Sequence, residues 1–117
     1  MDDAAVVVAL TTLPAGHDCT AFAGALVEAH VAACVQVHAA MTSVYRWEGQ
    51  VTADAEHSVV IKTTRAAVPA LWNTLRGLHP YDVPQFVVIP AIETSPEYGG
   101  WVRTETKGAA GDSRRES

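Results

Sequence analysis

At 117 residues, with 49% hydrophobic and 18% charged side chains, the chain has the size of one domain and the apolar content of one core, which excludes an intrinsically disordered protein. Eight basic against thirteen acidic residues leave a net charge of −5 with histidines neutral, and the basic residues are scattered, so nucleic acid is not an expected partner. No apolar run nears the roughly 18 residues that span a membrane, the acidic start Met1-Asp2-Asp3 fails as a secretory signal, and Cys19 and Cys34 without a CxxC spacing suit reduced thiols, so a cytoplasmic protein is expected.

The run Val6-Val7-Val8-Ala9-Leu10 predicts a strand buried on both faces. A loop from Thr11 to Gly16 follows, with its proline and glycine. Asp18 is placed to cap a helix whose apolar face is Cys19, Phe22, Ala23, Leu26 and Val27. Gly24 either weakens that helix or admits a close neighbour. From Cys34 the period changes to two and holds to Glu48. Gly49 marks a turn, Ala53 to Glu56 is softer and suits a bulge, and His57 to Thr64 returns as a strand. Two such strands exceed the usual ~5–6 residues. The resulting ribbon has exposed edges that need covering, and identical chains would cover them.

Pro69 suits the first turn of a second helix with the stripe Val68, Leu71, Trp72, Leu75 and Leu78. Two prolines make His79-Pro80-Tyr81-Asp82-Val83-Pro84 a stiff turn. Phe86 to Ile89 predicts another buried strand, ended by Pro90. Ser95-Pro96-Glu97 opens a short last helix through Tyr98, Trp101 and Val102. Residues 1–106 are thus one domain, and Lys107 to Ser117 a disordered polar tail. The order βαββαβ plus a helix is the α+β, ferredoxin-like arrangement, with helices on one face of an antiparallel sheet.

Four segments, Ala33-Cys34-Val35, Thr42 to Gln50, Ile61-Lys62-Thr63 and Leu78 to Pro84, with Tyr98-Gly99-Gly100-Trp101 at the end, together resemble the CutA family of divalent-cation tolerance proteins. The resemblance runs from about residue 6 to 106. It implies a ferredoxin-like subunit in a homotrimer whose long hairpins pack on neighbouring copies, as in PII signalling proteins. It also implies a role in the response to metal ions, copper foremost, with no enzymatic step. Where some members carry a metal-binding cysteine this chain has Thr11, and where they carry two turn histidines it has Leu78 and His79. Only His79 carries over as a metal ligand, and copper sites gather several nitrogen or sulfur donors.

Each candidate has two readings. His79 is a ligand through neutral imidazole, or a histidine that ends a helix and stiffens the turn. Cys34 is a soft ligand or reactive thiol, or a small buried hydrophobe. Tyr45 and Tyr81 line a ligand cleft between subunits, or pack an interface as Trp47 does. Lys62, charged in an apolar strand, recognises an anion in that cleft or pairs with Glu48 or Asp82. The cleft reading groups Lys62, Tyr45, Cys34 and Tyr81. The alternative function is a PII-like trimer that senses an anionic metabolite or a protein partner. A nucleophile-base pair of Cys34 and His79 is a third reading, and it requires the two side chains to touch. The remaining histidines, His17, His30, His38 and His57, have no ligand spacing and are read as structural.

Overall fold

A computed structural model describes residues 2–109. Four strands and three helices follow in the expected order: β1 Val6–Pro14, α1 Cys19–Glu28, β2 Cys34–Trp47, β3 Gln50–Thr64, α2 Val68–Leu78, β4 Val87–Pro90 and α3 Pro96–Glu105. The strands form one antiparallel sheet in the order β2-β3-β1-β4. Alternation sorts β1 and β3 into two faces. Ala9, Leu13, Val59 and Ile61 point to the helices and join Phe22, Leu26, Leu71 and Leu75 in the core. The opposite face carries Val8, Leu10, Val60, Lys62 and Cys34, which are only half-buried.

The local chemistry of the helix starts is as the residues dictate. The Asp18 carboxylate accepts from the Ala21 N–H at 3.0 Å, and Ser95 Oγ accepts from the Tyr98 N–H at 3.2 Å, each filling an orphan donor of a first turn. Pro69 and Pro96 occupy the first turns of α2 and α3. Nothing lies within 4 Å of a Cβ built on Gly24, so within the subunit that glycine weakens α1 and does not admit a neighbour.

Four expectations change. β1 continues through Thr11, Thr12, Leu13 and Pro14 instead of looping at Thr11, because Thr11 and Leu13 are fully buried in phase with Ala9. Pro14 is tolerated there because β4 pairs only with Val7–Leu10, leaving the end of β1 a free edge. The bulge lies on β2, between Val37 and Ala40, and β3 runs unbroken through Ala53–Glu56. β4 is not buried within the subunit: it is an edge strand whose Val87 and Ile89 remain about half exposed. A helical turn extends past the expected start of the tail through 107–109, where Ala109 is buried in the core; positions 110–117 lie outside the described residues.

The hairpin turns at Glu48-Gly49, both with positive φ (50° and 80°), the geometry of a two-residue hairpin loop that matches strand twist. β1 supports β3 only from Glu56 to Thr64, so the ribbon from Thr42 to Ala55 extends beyond the sheet as two strands. It leaves Val44, Trp47 and Val51 more than half exposed.

Candidate functional site

The site begins just before β4 starts, beside the Leu10–Val87 pair. Beyond Leu10, β1 has no β4 partner, and the 79–84 turn takes its place. His79 Nε2–H donates to the Thr12 carbonyl at 2.7 Å, and His79 Nδ1 accepts the Tyr81 N–H at 3.1 Å. These two bonds select the neutral tautomer protonated on Nε2. The ring also meets Phe22 edge-on at 6.0 Å between centroids. Burial, first, and then the nearby His17 pull its pKa below the usual histidine value, against the opposing Thr12 bond.

Fixing His79 aims the turn at the open side of the sheet. The Tyr81 hydroxyl donates to Glu56 Oε2 at 2.8 Å, and the Thr12 hydroxyl reaches the same oxygen at 3.2 Å. Desolvation and the Glu56 bond push the Tyr81 pKa far above that of free tyrosine, so the phenol stays a donor. On the projecting ribbon, the Tyr45 hydroxyl donates to Asp54, the bond that chiefly raises its pKa. Between turn and ribbon opens a cleft of about 700 Å³ lined by Thr12, Tyr45, Trp47, Glu56, Tyr81 and Asp82, among others.

The four cleft candidates do not meet within one chain. Tyr45 and Tyr81 share this cleft. Cys34 and Lys62 are cross-strand partners elsewhere on the open face. Tyr45 pairs with Thr52, ten residues before Lys62 on β3, which is about 33 Å of strand. Lys62 Nζ donates to the neutral Gln36 side chain at 2.7 Å rather than pairing with Glu48 or Asp82.

His79 is also placed against its ligand reading, since both ring nitrogens are committed within the subunit. Among the described residues no three His, Cys, Asp or Glu side chains are gathered to hold a metal, so the donors of one chain do not fit a copper site. Within one chain Cys34 does not reach His79 as a nucleophile. It pairs with Lys62 on the open face, whereas His79 binds Thr12, four residues along β1 from the Val8–Lys62 pair, about 13 Å away. His30 and His57 are structural as expected: their Nδ1–H groups donate to the Glu105 and His38 carbonyls. Both cysteines are free thiols, and burial raises the Cys19 pKa.

Glu56 is the site residue that sequence reasoning missed. In the sequence it belongs to a soft, bulge-prone stretch, yet it is 7% exposed. The available signal was its phase, since it alternates with Ser58, Val60 and Lys62 on the open face.

The model of the CutA1 divalent ion tolerance protein family matches residues 7–105. The chain belongs to that family. The divalent-cation tolerance protein CutA of Thermus thermophilus is 42% identical over 99 residues, covering 85% of this chain and 96% of the relative. The solved structure of the Thermus thermophilus divalent cation tolerance protein superposes with a TM-score of 0.83, over 86% of this chain and 98% of that one. The PII-like protein CutA from Nostoc is 36% identical with a TM-score of 0.79, over 86% and 96% of the two chains. Protein CutA of mouse is 36% identical over 87% of this chain, but the chain spans only 58% of that relative's length. Family membership and the antiparallel four-strand, three-helix fold agree. Among the described residues no helix is long and apolar enough to cross a membrane.

Proposed function

We propose that the chain is a non-enzymatic, homotrimeric divalent-cation tolerance protein of the cytoplasm, which holds a metal ion such as copper, or a small ligand, in clefts between copies. The observation that carries this reading is the overhanging ribbon. A two-stranded extension with exposed Val44, Trp47 and Val51 is marginal in water alone, and burial against other copies stabilises it. Three copies would also bring Tyr45 and Tyr81 of one chain towards Cys34 and Lys62 of another, joining what one chain keeps apart. A copper site would need donors from more than one copy in the same way.

Two measurements test the reading. Light scattering at low micromolar concentration is expected to give about three times the 12.4 kDa chain. Copper titration of wild type, His79→Ala and Cys34→Ala is expected to lose affinity with Cys34 and not with His79. A monomer, or unchanged binding in both variants, removes the inter-subunit site in the first case and both ligands in the second.

The second reading, a PII-like sensor of an anionic metabolite or protein partner, is favoured by Lys62, a cation held by a neutral amide. It predicts a thermal shift with nucleotides or carboxylates that Lys62→Ala abolishes.

A further inference from the structure

The 79–84 turn has a second side, next to α2. A cavity of about 480 Å³ opens there, lined by Trp72, Arg76, His79, Asp82, Val83 and Pro84, among others. Its size suits a small molecule. No residue of β2 or β3 lines it, so it uses none of the ribbon that other copies are proposed to cover.

One wall is well supported. Trp72 is half-buried against the core and tilts on Phe86 at 4.9 Å between ring centroids. The Arg76 guanidinium lies over the Trp72 ring, 5.8 Å from its centroid, and donates to Asn73 Oδ1 at 3.2 Å. Stacking and that bond position the planar group, and its other N–H groups have no acceptor among the described residues. Attraction to the helix end accounts for an arginine in the last turn of α2. It does not account for Asp82, which lines the same cavity and, among the described residues, makes no ion pair with Arg76. Two opposite charges thus share one cavity without pairing.

That arrangement selects the ligand. A simple anion drawn to Arg76 also meets Asp82, and a simple cation drawn to Asp82 also meets Arg76. A neutral apolar molecule desolvates both charges and partners neither. A zwitterion satisfies both, its carboxylate on the guanidinium fork and its ammonium on the Asp82 carboxylate. The Trp72 indole N–H, which has no acceptor among the described residues, is a further donor for the carboxylate. Tyr81 adds no polar group, because its hydroxyl and N–H are committed to Glu56 and His79. Trp72, Val83 and Pro84 offer apolar surface to a side chain. We propose that this cavity binds a free α-amino acid with a large apolar side chain, Arg76 taking its carboxylate and Asp82 its ammonium. The site is separate from the Lys62 cleft and does not depend on assembly.

Calorimetric titration of the full chain with L-phenylalanine and L-leucine tests it. N-acetyl-L-phenylalanine and L-phenylalaninamide, each lacking one charge, and glycine, lacking the side chain, are the comparisons. The expected result is saturable binding of the two large amino acids, with each comparison about tenfold or more weaker. Arg76→Ala is expected to weaken L-phenylalanine about tenfold and to leave the amide unchanged. Asp82→Asn is expected to weaken L-phenylalanine similarly and to leave the acetyl derivative unchanged. Both residues are exposed, so both variants are expected to fold, which their melting temperatures check. No saturable binding by wild type, equal binding of the acetyl or amide derivative, or unchanged affinity in both variants overturns the proposal. Loss of binding as copies associate, followed by light scattering, overturns it too, because the cavity is then an interface.

Discussion

The imidazole of His79 is held neutral because one nitrogen donates to Thr12 and the other accepts from Tyr81. Its folded pKa is lowered by burial, so between that value and about 6.5 the unfolded chain binds the extra proton and the folded one does not. The stabilising contribution is complete above about pH 6.5 and is lost as pH falls towards the folded pKa. Melting temperature is expected to drop on acidification below pH 6.5, and a melt series across pH 8 to 5 on wild type and His79→Gln reads it. A slope unaffected by the substitution would show that another group carries the pH dependence. The Tyr81–Glu56 bond ends on a charged acceptor, so Tyr81→Phe is expected to cost about 1–2 kcal/mol in urea denaturation. Residue types alone made Tyr45 and Tyr81 candidates, and they do share a cleft. What could not be read was which partners they take. The Tyr81 partner, Glu56, lies 25 residues away in sequence, and only the register of β1 on β3 brings Thr12 beside it.

The elements were legible where short-range physics decides them. Caps at Asp18 and Ser95, prolines in first helical turns, and the change from a 3.6- to a 2-residue period all act within a few positions. The misread boundaries were set by distant contacts. Thr11 and Leu13 belong to β1 because the core buries them, and β4 is half exposed because none of the described residues covers its outer face. Two predictions belong at this scale. Gly24 has open space around its missing Cβ, so Gly24→Ala is expected to stabilise α1 by about 0.5–1 kcal/mol in equilibrium unfolding. Gly49 has a φ of 80°, so Gly49→Ala is expected to destabilise the hairpin by about 1 kcal/mol or more. If the ribbon is an assembly element, the second variant also shifts mass in light scattering at low concentration, whereas Gly24→Ala does not.

At the scale of the whole molecule, the ribbon draws the chain out to 44 Å against 32 and 25 Å in the other directions. Amide hydrogen exchange should divide it. Protection is expected from Glu56 to Thr64, where β1 covers β3, at any concentration. From Thr42 to Ala55 it is expected to rise with protein concentration as copies associate. Uniform protection in dilute solution would mean that the ribbon is stable by itself. The strand order carries a further consequence, for biosynthesis. β1 leaves the ribosome before the other three strands but sits inside the sheet, between β3 and β4, whose residues emerge some 45 to 85 positions later. The helix-facing Ala9, Thr11 and Leu13 have no completed sheet around them until β4 has been made. Of the four strands, Val6–Leu13 is therefore the one that a holdase chaperone would cover longest, until Val87–Pro90 closes the edge.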